Sequence, residues 1–262
     1  MIIQKSKITK SLSETYNNEL FWIISITTLE KRREKMSLSD NLNKVKNEIT
    51  ISLKKTNRTS ESLKLLAVSK TVSCDKIKEM FELGQKDFGE NRPQVLRDKA
   101  KELENLPINW HFIGHLQNNK IKYVYPVATL VHSIDRRELL DEFIEWAKKT
   151  ERKCPVLLEV HISREEAKQG FDVDEVLDVI KDYKDNEYLD IRGLMGMAPL
   201  DADEEKVRAC FKELSSLFQK SKNLEGKAYK AEELSMGMSG DFPIAIEEGA
   251  TIIRIGTALF RD

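Results

Sequence analysis

The sequence has few cysteines. It contains three, Cys74, Cys154 and Cys210, which are far apart and form no C-x-x-C pair. An odd and scattered set of this kind is not typical of a disulfide framework or of a tetrahedral zinc site. A reducing compartment suits such a set better, and we therefore expect a cytoplasmic protein.

The sequence also lacks an excess of charge of one sign and a long apolar run. Lys and Arg together number 43 and Asp and Glu 44, so the net charge is -1, whereas a nucleic-acid-binding protein usually shows a basic excess. The longest apolar run near the start, residues 20–26, is far shorter than the ~20 residues that span a bilayer. We expect neither nucleic acid nor a membrane as a partner.

Histidine is scarce as well. The four histidines, His111, His115, His132 and His161, have no H-x-H spacing, so the pattern does not favour a metal site. His111 and His161 lie inside apolar strand-like runs, where a structural role is expected. His115 follows a strand-like run and is a candidate neighbour of a site.

The first part of the chain differs from the rest. Residues 1–35 show no clear period, and we assign them as an N-terminal extension of unknown role. From Met36 onward, apolar residues at helical spacing predict a helix that Ser39 or Asp40 would cap. We therefore place one domain at residues 36–262, beginning with this extra helix.

Eight short apolar runs alternate with helical patterns along that domain. The runs read as continuous apolar segments, which is typical of parallel strands covered by helices on the outside. This pattern predicts an α/β fold, a single-domain (β/α)₈ TIM barrel, and a doubly wound sheet is disfavoured because no Gly-rich loop follows the first run. The runs are 63–69, 86–91, 109–115, 128–134, 155–163, 190–198, 233–239 and 251–256.

The helices between the runs carry start and stop signals. Ser73 is placed to cap the second helix, and Pro93 lies in the first turn of the third. Asp135 with Glu138 resembles a capping box, and Asp172 is a candidate cap further on. Glu90 has two interpretations, a pocket carboxylate or a helix cap, of which we favour the cap.

In a TIM barrel, the carboxyl ends of the strands form one active face. Lys70 follows the first strand and is the only obvious nucleophile at these positions; a solvated loop lysine is the alternative. The loops after strands seven and eight often bind phosphate, and here they carry Ser239, Gly256 and Thr257. Ordinary turn chemistry is the alternative for each of these three residues. A buried Lys70 amine near the cation of Arg254 would be a nucleophile toward a phosphate-bearing aldehyde.

Seven motifs follow one another along the chain: LLAVSKTVS, FGENRPQ, INWHFIGHLQNNK, LVHSID, IRGLMGMAP, ELSMGMSGDF and IIRIGTALF. In this order they resemble the pyridoxal phosphate homeostasis protein family, whose fold is like the N-terminal barrel of alanine racemase. The resemblance covers about residues 40–260 and implies that Lys70 holds pyridoxal 5′-phosphate as a Schiff base (an internal aldimine). It implies that Asn91 lies beside the ring and Arg254 faces the pyridine nitrogen, with the phosphate held by Ser239, Gly256 and Thr257.

The resemblance further implies a carrier or buffer that takes part in intracellular cofactor homeostasis and has no dependable catalytic reaction. An arginine stays protonated and would not protonate the ring, and a second, racemase-type domain is not expected after strand eight. Apo-enzymes that use the cofactor are the expected recipients, and we expect a monomer. The end LFRD departs from the family, with Arg261 where glycine is usual.

Two alternatives remain at this point. One is an amino-acid racemase or lyase of low activity, which needs a second acid–base group such as His115. The other is a barrel enzyme that acts on a sugar phosphate without a cofactor.

Overall fold

A computed structural model describes residues 37–165 and 169–261. Eight parallel strands form a closed barrel in which each strand pairs with the next along the chain and the eighth pairs with the first. The predicted (β/α)₈ barrel is confirmed. The strands are β1 (Lys64–Val68), β2 (Asp87–Glu90), β3 (Asn109–Phe112), β4 (Leu130–Ile134), β5 (Val156–Val160), β6 (Ile191–Gly196), β7 (Tyr229–Ser235) and β8 (Ile252–Ile255).

Helices connect these strands on the outside of the barrel. The first one, α1, precedes the barrel, and the last one, α9, follows β8. Within the described residues they are α1 (Leu38–Lys55), α2 (Cys74–Glu82), α3 (Pro93–Glu102), α4 (Ile121–Val124), α5 (Arg137–Thr150), α6 (Val176–Tyr183), α7 (Glu204–Ser221), α8 (Phe242–Glu247) and α9 (Thr257–Phe260).

Local sequence signals account for several helix boundaries. The Ser73 side chain accepts a hydrogen bond from the Lys76 backbone N–H at the start of α2, and Pro93 occupies the first position of α3. Gly84 follows α2 with a φ of 93°, a left-handed conformation that glycine adopts without strain. These signals therefore agree between sequence and structure.

Other predicted caps are wrong. The helix α1 begins at Leu38, so Ser39 and Asp40 lie in its first turn and neither is its cap. The residue that precedes α5 is Arg136, and the Asp135 carboxylate bonds to other side chains. The helix α6 starts only at Val176, because a turn separates it from Asp172.

The apolar residues form two clusters. The larger one lies between the strands and the surrounding helices, and it includes residues of α1 such as Leu42 and Val45. A smaller cluster from five strands consists of Leu66, Leu130, Leu157, Met195 and Ile252 and occupies part of the barrel interior. Layers of side chains are expected inside a barrel of eight strands, so the interior is packed and is not a pore.

The extra helix α1 packs against α8 and α9. The Asn41 side-chain amide donates hydrogen bonds to the backbone oxygens of Leu259 and Arg261, at 3.1 and 2.9 Å. This helix thereby holds the segment after β8 in place. The assigned extension, residues 1–35, lies outside the described residues. Within the described part of the chain, no helix combines the length and the apolar character that a membrane span requires.

Candidate functional site

One cavity of ≈ 900 Å³ opens at the carboxyl ends of the strands. In a (β/α)₈ barrel this is the end at which active sites occur. All six residues that the sequence analysis singled out line this cavity, together with His115. The six are Lys70, Asn91, Ser239, Arg254, Gly256 and Thr257.

Lys70 lies in a turn two residues beyond the end of β1. The backbone N–H of Val72 donates to the Ser69 oxygen at 2.8 Å, which closes the turn. Lys70 is exposed at the open side of the cavity, and no hydrogen bond or ion pair engages its side chain among the described residues. The expectation of a buried amine is therefore wrong, because the turn carries the side chain past the last buried position, Ser69.

A buried carboxylate fixes the backbone next to Lys70. Glu90, the last residue of β2, is fully buried and accepts hydrogen bonds from the Ser69 hydroxyl and the Lys99 ammonium, both at 2.7 Å. Lys99 also donates to the Ser69 backbone oxygen at 2.8 Å. The prediction that Glu90 caps the next helix is wrong, since its carboxylate points to a lysine of α3 and a serine after β1.

Asn91 follows Glu90 and lies against the strand end that carries His115. A Cβ atom built on Gly114 would come within 2.2 Å of the Asn91 backbone oxygen. Only glycine allows this approach, which brings the two loops together at the cavity wall. Gly114 is thus a structural requirement for the placement of Asn91.

Hydroxyl and backbone N–H groups meet at the rim formed by the loops after β7 and β8. The Ser239 hydroxyl accepts hydrogen bonds from the backbone N–H groups of Gly256 and Ala258, at 3.3 and 3.4 Å. Thr257 is exposed between them. Arg261, at the position where the sequence departs from the family pattern, is exposed and lines the same cavity. Donors of this kind in a small space favour an anion.

Arg254 is a buried cation at the cavity wall, with 4% exposure. Its guanidinium donates to the Ser235 hydroxyl at 2.7 Å and to the Gly196 backbone oxygen at 3.1 Å. Burial lowers the pKa of Arg254 to about 10, although the charges of Glu159 and Asp241 act to raise it. Arg254 therefore remains protonated at neutral pH.

Glu159 was missed in the sequence analysis. It is the next-to-last residue of β5, lines the cavity and is only 2% exposed, and its Oε2 atom has no hydrogen-bond partner among the residues that the structure describes. Burial, with the charge of Asp135, raises its pKa to about 7, although Arg254 acts in the opposite direction. A single acidic residue inside the apolar run LLEV was the available signal.

His115 is oriented by a carboxylate. Its Nδ1 atom lies 3.0 Å from Asp135 Oδ2, and Asp135 also pairs with Arg136. The imidazole is half exposed, whereas the Asp135 side chain is 7% exposed. Asp135 serves this contact and does not cap the helix that follows β4.

Comparisons with known proteins agree with this geometry. The family model described as the alanine racemase N-terminal domain matches residues 50–262. The pyridoxal phosphate homeostasis protein of Aquifex aeolicus is 38% identical over 227 residues, which cover 87% of this chain and 99% of the relative. The chain belongs to the pyridoxal phosphate homeostasis protein family. The family member from Haemophilus influenzae is 37% identical over 228 residues, covering 86% of this chain and 95% of its own length.

Solved structures extend the likeness to three dimensions. PipY of Synechococcus elongatus, solved with PLP bound, matches with a TM-score of 0.74 and 30% identity over 86% of this chain and 100% of PipY. Alanine racemase of Clostridium difficile matches with a TM-score of 0.61 over 84% of this chain and 56% of the racemase. At 16% identity, the racemase supports the barrel fold alone. The resemblance to the pyridoxal phosphate homeostasis protein family is confirmed.

Proposed function

We propose that this protein binds pyridoxal 5′-phosphate in the cavity at the carboxyl ends of the strands and takes part in intracellular homeostasis of that cofactor. One observation carries the proposal: a single cavity is lined by a lysine amine, a buried arginine and a rim of hydroxyl and N–H donors. The PLP-bound structure of PipY, a relative of the same fold, adds support.

The residues present fit the cofactor. Pyridoxal phosphate has an aldehyde, a phosphate and a ring nitrogen, and these need an amine, anion donors and a polar partner, respectively. Lys70, Ser239 with its neighbours in the rim, and Arg254 offer these groups. A Cβ atom on Gly256 would lie 3.3 Å from Val68 Cβ, so the glycine keeps the rim backbone close to the end of β1.

Each residue has a proposed role. Lys70 would hold the cofactor through its primary amine, because bound pyridoxal phosphate would supply an aldehyde that condenses with an amine and releases water. Ser239, Gly256 and Thr257 bind the phosphate through hydroxyl and backbone N–H groups. Asn91 lines the wall beside the ring.

The role of Arg254 favours binding without turnover. A protonated guanidinium donates hydrogen bonds but gives up its proton poorly, so Arg254 leaves the ring nitrogen unprotonated. An unprotonated ring would withdraw electrons only weakly from an amino acid bound to it. We propose a carrier or buffer and not an efficient enzyme.

We extend the proposal to organisation and partners. Residues 36–262 form the cofactor-binding domain, and residues 1–35 form an extension to it. The protein acts as a monomer and passes the cofactor to apo-enzymes that need it. Three free cysteines support a location in the reducing cytoplasm.

A colour test examines the proposal. The full-length protein, purified or reconstituted with pyridoxal phosphate, is expected to absorb visible light, and borohydride should fix the cofactor to Lys70, as peptide mass spectrometry would show. Lys70→Ala should abolish fixation. Lys86→Ala is the matched control, because Lys86 is exposed and precedes β2, at the other end of the barrel.

Two outcomes would contradict the proposal. One is a colourless protein that cannot be reconstituted, which would leave a sugar-phosphate barrel enzyme as the alternative. The other is equal fixation in wild type and Lys70→Ala, which would place the reactive amine elsewhere.

The His115–Asp135 pair favours a second candidate, weak racemase or lyase activity. Asp135 holds the imidazole through Nδ1, so Nε2 is available for proton transfer at the cavity. Exchange of the alanine α-proton in D₂O would reveal such activity, and loss of exchange in His115→Gln would assign it. No exchange above the rate of free pyridoxal phosphate would reject it.

A further inference from the structure

A chain of polar side chains runs through the barrel interior from Arg254 toward the opposite end. The Arg254 guanidinium is 2.7 Å from Ser235 Oγ, which is 2.9 Å from His132 Nδ1. His132 Nε2 is 2.9 Å from His111 Nδ1, and His111 Nε2 is 3.3 Å from Asp87 Oδ1. The five residues come from β8, β7, β4, β3 and β2. Only Arg254 among them lines the cavity.

The two ends of this chain have fixed roles. Arg254 remains protonated and can only donate. Burial acts to raise the pKa of Asp87, but His111, Lys64 and Asn109 outweigh it, so that the pKa is lowered. Asp87 is therefore an ionised acceptor at neutral pH. Its side chain keeps 21% exposure, near the start of β2.

The two histidines between these ends are neutral. Burial lowers the pKa of His111, although Asp87 opposes the change. Burial also brings the pKa of His132 well below its usual range, and the charges of His111, Arg254 and Lys64 add to this effect. A neutral imidazole carries one proton, so each ring donates at one nitrogen and accepts at the other.

These conditions allow one arrangement of protons. His111 must donate from Nε2 to the Asp87 carboxylate, so its Nδ1 accepts from His132 Nε2. The Nδ1 atom of His132 then accepts from the Ser235 hydroxyl, whose oxygen accepts from Arg254. Every hydrogen bond in the chain points from the guanidinium toward the carboxylate.

We propose that Ser235, His132, His111 and Asp87 form a one-way hydrogen-bond relay that positions the Arg254 guanidinium at the cavity wall. The four are positioning residues, since none of them lines the cavity. The relay deepens the proposed function, because it rests on Arg254 as the group facing the cofactor ring. It excludes both the Nδ1–H tautomer and the imidazolium form for the two histidines at neutral pH.

Purely structural burial is the competing explanation. Buried polar groups need partners, and two histidines could satisfy each other in any direction. A structural pair places no requirement on tautomer and no requirement on cofactor binding. The relay requires one tautomer of each ring and requires its residues to support cofactor binding. The two experiments below measure these two properties.

The first test is ¹⁵N NMR of the histidine rings in the full-length protein without added cofactor. His115→Gln and His161→Gln remove the two rings outside the relay and so assign the remaining signals. We expect both remaining rings in the Nε2–H form at pH 7. An Nδ1–H ring or an imidazolium at either position would overturn the relay.

The second test is cofactor affinity, measured by absorbance titration with pyridoxal phosphate. Ser235→Ala removes the hydroxyl that joins Arg254 to His132, and we expect binding weaker by roughly tenfold. Ser221→Ala is the matched control, because Ser221 is equally buried but bonds to Phe218 and Tyr229 on the outer side of the barrel. We expect its affinity to equal that of wild type.

Equal loss of affinity in the two serine variants would reject the positioning role. A wild-type protein that binds no pyridoxal phosphate would reject the proposed function instead, and the NMR experiment would still decide whether the relay exists. The two failures are therefore distinguishable.

Discussion

Glu90 and Lys99 form a buried ion pair of 2.7 Å beside the turn that presents Lys70. The Glu90 side chain has no exposure and that of Lys99 has 12%. Because Ser69 bonds to both partners, and Glu90 directly precedes Asn91, one carboxylate holds the backbone of two candidate site residues. The buried ion pair therefore connects the packing of the barrel to the positions of Lys70 and Asn91.

The first prediction concerns Glu90→Gln. Removal of one partner leaves the Lys99 ammonium buried without its anion, so we expect the free energy of unfolding to fall by about 3 kcal/mol. Denaturant unfolding measures this change. The double variant with Lys99→Met should be more stable than the sum of the two single changes predicts, because it leaves no unpaired charge.

Glu145→Gln provides a matched control, since Glu145 pairs with Lys148 on the exposed face of α5. Exposed pairs contribute little, so this variant should unfold at the same denaturant concentration as wild type. Equal losses of unfolding free energy in Glu90→Gln and Glu145→Gln would contradict the prediction that the buried pair stabilises the fold.

The second prediction concerns Gly114→Ala. Its Cβ would lie 2.2 Å from the Asn91 oxygen and 2.8 Å from the Asn91 Cα, both backbone atoms that cannot rotate away. We expect a loss of about 3 kcal/mol in the free energy of unfolding, with weaker cofactor binding as Asn91 moves.

Gly240→Ala is the control for this glycine, because it lines the same cavity and its Cβ would meet nothing within 4 Å. We expect a change in unfolding free energy within about 0.5 kcal/mol. A Gly114→Ala protein as stable as Gly240→Ala would show that the close approach to Asn91 is not required.

The sequence alone was sufficient to predict the barrel fold and the candidate residues that line the cavity. Val, Ile and Leu cluster in short runs because parallel strands are covered on the outside, and runs such as 251–256 therefore locate β8 within a residue or two. Lys70 and Ser239 follow such runs, and barrel geometry alone brings strand ends to one face. The family resemblance added Asn91 as a candidate neighbour of the ring.

Contacts between distant elements could not be predicted in this way. Glu90 looks like a cap locally, but β2 brings it to Ser69 and Lys99. Asp135 likewise precedes a helix and pairs with His115 instead. Such partners depend on the strand register and on which side chains enter the interior, and neither is specified by local spacing.

The third prediction concerns cysteine reactivity. Burial raises the pKa of the Cys154 thiol to about 12, and the thiolate is the reactive form. Cys154 and Cys210 are buried, whereas Cys74 is partly exposed. We expect an alkylating reagent at pH 8 to modify Cys74 first, as mass spectrometry of the native protein would show. Faster labelling of Cys154 than of Cys74 would contradict the buried thiol.

The fourth prediction concerns the pH dependence of stability that Glu159 causes. Its pKa rises from the usual 4.5 to about 7 in the folded protein, mainly because burial disfavours the charged form. Between these values the folded state holds a proton that the unfolded state has lost. The contribution of Glu159 is therefore fully present below pH 4.5 and is lost as the pH rises through 7, a change of about 3 kcal/mol.

Glu159→Gln removes this titration and keeps the shape of the side chain. The variant should gain stability relative to wild type as the pH rises from 4.5 to 7.5, by up to about 3 kcal/mol. Denaturant unfolding at several pH values measures the difference between the two proteins, in which all other titrating groups cancel. A stability difference between the two proteins that stays constant over this pH range would contradict this prediction. It would mean that Glu159 is ionised in the folded protein, because Arg254 and not burial is then the dominant influence on its charge.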